Sequence, residues 1–147
     1  MRAAVTCLAV AVALALTGRL ARADADESAR VAAAAFGRAL ESQNAAALLP
    51  LLPTAGRVHV TLLRLGPEEG RFGATQVVAL FRDFMAGGKI STFEVLRCEG
   101  EGGLTALAHG RALVVDREGR SGRVGIHLAL EREDGRWVIR EVKETAP

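Results

Sequence analysis

Residues 72–88 have the sequence FGATQVVALFRDFMAGG, which contains signals for both ends of one helix. Pro67–Gly70, just before it, has the composition of a turn. Gly73 stands at the N-cap position, and Gln76, three residues later, supplies half of a capping box. Gly87-Gly88 predicts an ending in the left-handed conformation. The apolar face of this helix is expected to be buried and consists of Val77, Leu80, Phe81 and Phe84.

Downstream of this helix the hydrophobic pattern changes to a period of two, which predicts strands. Asp134-Gly135, between two alternating segments, is a strong signal for a tight hairpin turn. Another hairpin is expected to turn about Gly119. The predicted strands are Ile90–Cys98, Leu104–Val115, Arg123–Glu131 and Trp137–Val142.

Upstream, residues 28–42 carry an apolar stripe at helical spacing and predict a first helix, which Asp26 or Ser28 would cap. A short second helix is predicted over Ala45–Leu49 and a strand over Arg57–Leu65. Because helices and strands are segregated along the chain, the order predicts the α+β class. We expect a curved antiparallel sheet of four to six strands that forms a cone, with about three N-terminal helices packed on it.

Residues 1–25 have the layout of a signal peptide: a basic start at Arg2, an apolar run over Ala3–Leu16, and alternating small residues after it. The run is shorter than the roughly 20 residues that cross a bilayer, so an uncleaved anchor is the weaker alternative. Cleavage after Ala23 and cleavage after Ala25 fit equally well. We therefore expect one domain over residues 26–147 that is periplasmic or secreted and free of the membrane after cleavage.

Removal of the predicted signal peptide changes the charge of the chain. This segment holds three of the 19 basic residues and one of the 17 acidic residues, so 16 of each remain. Basic and acidic residues are interleaved in the remainder without a basic stripe. This pattern argues against a nucleic-acid partner.

Cys98 is the only thiol that remains after cleavage, which excludes an internal disulfide. It is buried and inert, paired between chains, or reactive. Its acidic neighbours Glu99 and Glu101 disfavour the thiolate and weaken the reactive alternative.

Three segments resemble the nuclear-transport-factor-two-like superfamily. They are FGRAL at residues 36–40 with the short helix after it, FGATQVVALFRDF at residues 72–84, and DGRWVI at residues 134–139. The likeness covers Glu27 to Val142. It implies the cone-shaped α+β fold, which hosts ketosteroid isomerases, polyketide cyclases, scytalone dehydratases and many small binding domains, so it does not select one activity.

The residues assemble no catalytic set that the resemblance would require. The usual oxyanion donor of the isomerases is a tyrosine, and the chain has none. Asp83 is the only carboxylate on the third predicted helix and is offset from its apolar stripe. His59, His109 and His127 lie in mid-strand, and a turn about Gly119 would place His109 opposite Ala129 and His127 opposite Arg111. A cationic neighbour disfavours metal binding and a charged imidazole. We therefore predict no metal site, and the sequence indicates no cofactor and no catalytic residue.

We interpret the chain as an exported, non-catalytic binding or interaction domain that holds a small apolar ligand or a partner segment in the cone. The residues expected near the cavity are Phe36, Leu40, Phe81, Phe84, His109 and His127. Two alternatives stay open. One is a small hydratase or isomerase with a cone histidine as base, and the other is a structural subunit of an envelope complex with a filled cone.

Apolar residues on both faces of the last strand predict a homodimer formed through the sheet. Trp137 and Ile139 share one face in simple alternation, while Val138 and Val142 share the other. A second copy covering the outer face would account for this pattern.

Overall fold

The computed structural model describes residues 24–66 and 68–147. Within them, helix α1 spans residues 24–41, and a short 3-10 helix spans Ala45–Leu51. The second α-helix, α2, spans Ala74–Gly87. The strands are β1 (Val58–Thr61), β2 (Glu69–Phe72), β3 (Gly88–Glu101), β4 (Thr105–Asp116), β5 (Ser121–Glu133) and β6 (Arg136–Thr145).

The six strands form one curved sheet in the order β2-β1-β6-β5-β4-β3. Neighbouring strands are antiparallel except β1 and β6, which run parallel. The predicted α+β class and the helix-on-sheet cone are therefore confirmed, with one parallel pair in an otherwise antiparallel sheet.

The helices cover one face of the sheet, and that inner face forms the core. On β5 the buried positions alternate through Ile126, Leu128 and Leu130. The rings of Phe36 from α1 and Phe81 from α2 meet edge to face at 5.6 Å. Phe93 of β3 adds a third ring, 5.8 Å from Phe36. Aromatic pairs in this geometry add stability beyond the area that they bury.

Phe93 fits against the core because two glycines leave room for its ring. A Cβ atom on Gly37 of α1 or on Gly110 of β4 would overlap the Phe93 side chain. The ring thus joins α1 to the inner face of β4 at a close approach that only glycine permits.

The helix ends differ in part from the prediction. Helix α1 already includes residue 24, so Asp26 and Ser28 lie inside it and do not cap it. The start of α2 is confirmed, since the backbone N–H of Gly73 donates to Oε1 of Gln76 at 2.9 Å. Its predicted left-handed ending is wrong, because Gly88 is extended at φ −168° and begins β3 directly.

The predicted strand over Arg57–Leu65 ends early, at Thr61. The predicted turn over Pro67–Gly70 is wrong in its second half, because Glu69 and Gly70 belong to β2 and pair with β1. Pro67 lies outside the described residues. The backbone after Thr61 leaves the sheet because its N–H groups bind a side chain of β6, described below. Sequence periodicity does not detect such a contact, since the two segments are about 80 residues apart.

The two predicted hairpin turns have different outcomes. Asp134 and Gly135 both have positive φ, 50° and 79°, as a tight hairpin turn requires. The β4–β5 hairpin turns one residue earlier than predicted, because the Asp116 carboxylate binds the N–H groups of Glu118 and Arg120. His109 therefore pairs with His127 and not with Ala129.

Candidate functional site

A cavity of about 390 Å³ opens at the end of the cone where α2 meets β3. Its walls are the C-terminal half of α2, the segment between β1 and β2, and the adjoining ends of β3 and β4. The apolar lining consists of Leu62, Leu65, Leu80, Phe84 and Val114. Four charged residues complete it, namely Arg64, Glu68, Asp83 and Asp116. A concave apolar site of this volume with a few polar groups is typical of small-molecule pockets.

The wall between β1 and β2 is held by Glu144 of β6. This side chain is only 4% exposed. Its Oε2 accepts the backbone N–H groups of Leu63 and Arg64 at 2.8 Å and that of Leu65 at 3.1 Å. Three charge-assisted hydrogen bonds to one oxygen fix the backbone of a segment that has no regular secondary structure. Glu144 is not among the site residues predicted from the sequence.

The charged residues at the mouth of the cavity differ in whether they form hydrogen bonds and ion pairs. Asp116 binds Arg120, with Nε of Arg120 at 2.7 Å from its Oδ2. Desolvation acts to raise the pKa of Asp116, but the backbone N–H and guanidinium of Arg120 outweigh it and hold the pKa below its usual value. Asp83 and Arg64 are exposed at the rim. Asp116 therefore remains an anion with a structural task at neutral pH.

The structure separates the six residues predicted to surround the cavity. Phe84 is half-buried and lines it. Phe36, Leu40 and Phe81 are fully buried in the core and lie outside its lining. The deeper part of the cone is thus filled by their side chains.

The prediction that His109 and His127 lie in the cone is wrong. Both occupy the face opposite the buried residues of β4 and β5. Their rings meet edge to face at 4.5 Å across the strand pair. His59 also lies on this outer face, with its Nδ1 3.3 Å from Oε2 of Glu141. The alternative of a histidine base inside the cone is therefore wrong. Among the described residues no group of three or more His, Cys, Asp or Glu side chains is arranged to hold a metal ion.

The premise of the predicted dimer also needs correction. A β-bulge at Arg140 shifts the alternation of β6, so Ile139 and Val142 both face the core, opposite Leu130 and Leu128. Of the two apolar residues expected on the outer face, Val142 therefore faces the core, whereas Val138 pairs with the exposed Glu131 and is itself fully buried. Leu107 of β4 is 50% exposed on the outer face. The dimer itself stays a prediction.

The Cys98 thiol is half-buried beside the start of α1, with Sγ 4.0 Å from the carbonyl oxygen of Asp26. Burial first, and then the carboxylate of Asp26, raise the pKa of this thiol. The thiol form therefore dominates at neutral pH, which supports the unreactive alternative.

The outer-face histidines lead to a prediction about pH. Burial, His109 and Lys143 lower the pKa of His127, and the opposing effect of Glu141 is too small to restore it. The unfolded chain therefore binds a proton more readily than the folded chain, so the free energy of unfolding falls as the pH drops below about 6.5. Urea denaturation across this range should show a shallower pH dependence in His127→Gln than in the wild type. His59→Gln is the control, and identical profiles for His127→Gln and the wild type would contradict the expectation.

No family model and no curated protein matches the chain. Solved structures do. A nuclear-transport-factor-two-like protein with a cystatin-like fold from Novosphingobium aromaticivorans is 22% identical, with a TM-score of 0.65 over 88% of this chain and 86% of that one. A ketosteroid isomerase-like protein from Erwinia carotovora atroseptica is 11% identical, with a TM-score of 0.64 over 83% and 97%. An LEH-like epoxide hydrolase from M. tuberculosis is 15% identical, with a TM-score of 0.61 over 83% and 80%.

At these identities the likeness shows the fold. The chain has the nuclear-transport-factor-two-like fold, as the sequence resemblance implied. The same fold carries both enzymes and proteins of other kinds, so function has to be argued from the site.

Proposed function

We propose that this chain is an exported, non-catalytic binding domain that holds one small, mostly apolar molecule at the mouth of its cone. The observation that carries the proposal is the cavity of about 390 Å³ between α2, β4 and the segment after β1. A cone filled throughout by its own side chains would favour a structural subunit instead. The aromatic core fills only the deeper part.

The cavity wall is ordered before any ligand arrives. Leu62 and Leu65 belong to the segment that Glu144 holds through three backbone hydrogen bonds, and both side chains are buried. A wall that is already fixed loses little conformational entropy on binding, which favours affinity.

The charges at the rim restrict the kind of ligand. Asp116 is already paired with Arg120, which leaves two carboxylates, from Glu68 and Asp83, against one guanidinium, from Arg64. The excess of negative charge disfavours anionic molecules through Coulomb repulsion. The expected ligand therefore has an apolar body and a neutral or cationic polar group.

A histidine-dependent hydratase or isomerase is not proposed, because His59, His109 and His127 lie outside the cone. Asp116 is engaged by the β4–β5 turn. The enzymes among the structural neighbours share the fold with this chain, but its histidines do not supply a base inside the cone.

The neutral dye N-phenylnaphthylamine, whose fluorescence rises in apolar surroundings, tests the site. We expect saturable binding to the wild type and at least about tenfold weaker binding to Leu80→Trp, because the larger ring occupies the cavity. Leu104→Trp is the matched control, since Leu104 is 67% exposed in the turn at the far end of β3 and β4. Equal affinities for all three proteins would place the dye elsewhere and contradict the proposal.

The proposal of export favours one of the two predicted cleavage positions. Ala25 is buried in the core, and its carbonyl oxygen accepts a hydrogen bond from Oγ of Ser28 at 3.0 Å. That hydroxyl in turn accepts the indole N–H of Trp137 at 2.8 Å. Cleavage after Ala23 preserves this chain of contacts, whereas cleavage after Ala25 removes its first member. N-terminal sequencing of the exported protein should therefore begin at Asp24, and a start at Asp26 would contradict this choice. The first 23 residues of the predicted signal peptide lie outside the described residues.

A further inference from the structure

The outer face of the sheet carries a second cavity, of about 500 Å³, where β3, β4 and β5 meet the last residues of the chain. Its ionisable side chains are all basic and consist of Arg97, His109, Arg111 and Arg123. This concavity lies on the opposite side of the sheet from the cone and is independent of the site proposed above.

Two guanidinium groups of this cavity form no ion pair with the described residues. Arg97 forms an ion pair with Glu99 at 2.6 Å. Arg111 and Arg123, by contrast, have no carboxylate within 4.0 Å in the part of the chain that the structure describes, and this includes Glu94, the cross-strand neighbour of Arg111. The strand register places Arg111 opposite Gly125 and Arg123 opposite Leu113, so the two cations are diagonal neighbours on one face. Like charges in this relation repel, and an anion between them removes the repulsion.

One wall of this cavity is formed by residues 145–147, which pack closely against β5. A Cβ on Gly125 would overlap the Thr145 hydroxyl and approach the carbonyl oxygen of Ala146 to 2.7 Å, so glycine is what lets the chain end pass close to β5. Ala146, Pro147 and Leu96 give this wall an apolar part. The volume exceeds that of a bare phosphate or sulfate ion, so the cavity also has room for an organic group.

We propose that this outer-face cavity binds a small organic molecule through a phosphate or carboxylate group, with Arg111 and Arg123 as the anion-binding residues. Guanidinium groups suit this task because they donate paired hydrogen bonds to oxyanions. The apolar wall contacts the organic part of the molecule. This ligand is an anion, whereas the ligand expected at the mouth of the cone is neutral or cationic.

Amide chemical-shift titration with phenyl phosphate tests the proposal. We expect saturable shifts at Gly110, Gly125, Thr145 and Ala146, and tighter binding than that of inorganic phosphate because the phenyl group meets the apolar wall. The double variant Arg111→Gln/Arg123→Gln should bind at least about tenfold more weakly. Arg82→Gln, which removes an exposed guanidinium from α2, is the matched control and should bind like the wild type.

Three results would overturn the proposal. The first is that sodium chloride at equal ionic strength causes the same shifts, which would show that they arise from screening of surface charges and not from a bound anion. The double variant could keep the wild-type affinity while its spectrum shows a folded protein. Equal binding of inorganic and phenyl phosphate would remove the organic ligand from the proposal and leave an adventitious ion only.

Discussion

Replacing Glu144 by alanine is expected to lower the free energy of unfolding by about 3 kcal/mol or more. The side chain is buried, and its Oε2 accepts the N–H groups of Leu63, Arg64 and Leu65. Alanine leaves these donors without their acceptor, and the N–H of Leu65 lies where water does not readily replace it. Urea denaturation measures the effect. Faster hydrogen exchange at residues 63–65 should accompany it.

Two variants separate the role of this carboxylate from a general effect of charge. Glu144→Gln keeps the volume and one acceptor oxygen, so its loss should be smaller than that of alanine, at about 1–2 kcal/mol. Glu141→Gln removes a carboxylate of the same strand that points to the outer face and approaches His59 at 3.3 Å. Its expected effect is at most about 1 kcal/mol. If Glu144→Ala unfolds at the wild-type urea concentration, the account of the cavity wall is wrong.

Replacing Gly37 by alanine should destabilise the protein by about 1–3 kcal/mol, because the new methyl group would overlap the Phe93 ring. Whether Gly37→Ala lowers or raises the free energy of unfolding shows whether the new methyl group meets an obstacle. Gly37 lies inside α1, where alanine is favoured over glycine by about 1 kcal/mol. An open site would therefore give a more stable protein.

A double-mutant cycle tests the cause of the Gly37→Ala effect. In the background of Phe93→Leu the methyl group has more room, so the cost of Gly37→Ala should shrink by about 0.5–3 kcal/mol. Gly87→Ala, in the last turn of α2, is the control because a Cβ there has no neighbour within 4 Å. It should be neutral or stabilising. The same cost of Gly37→Ala in both backgrounds would show that Phe93 is not the obstacle.

The parts of the fold that local chemistry determines were predictable from sequence. The half capping box at Gly73 and Gln76 and the turn at Asp134-Gly135 are set by residues at most a few positions apart. Periodicity predicted the four long strands because β4, β5 and β6 bury residues of one face in the core, and β3 packs Ile90, Phe93 and Val95 against the same core. Together these signals were enough for the α+β class.

Longer-range features were not predictable in the same way. The register of β4 on β5 depends on the Asp116 carboxylate, which binds N–H groups inside the turn and moves its centre by one residue. That shift brings His109 opposite His127. The bulge at Arg140 likewise changes which side chains of β6 face the core in the part of the strand that follows it.

The cavity was only partly predictable for the same reason. Phe84 was found from the helical stripe, since helix periodicity places it beside the sheet. Leu62 and Leu65 were assigned to a strand, because the carboxylate that draws them out of the sheet lies about 80 residues away. A sign was present nonetheless, since Glu144 follows Val142 by two residues and so shares the buried face of β6.

The central claim is that the cone mouth holds a small apolar molecule, and native mass spectrometry of protein recovered from its own cell envelope tests it most directly. Wild-type protein and Leu80→Trp are prepared side by side. The account predicts that the wild type carries one added mass of a neutral or cationic apolar compound and that the variant, whose cavity is occupied by the indole, does not. A wild-type protein without added mass in repeated preparations, or the same added mass on both proteins, would contradict it.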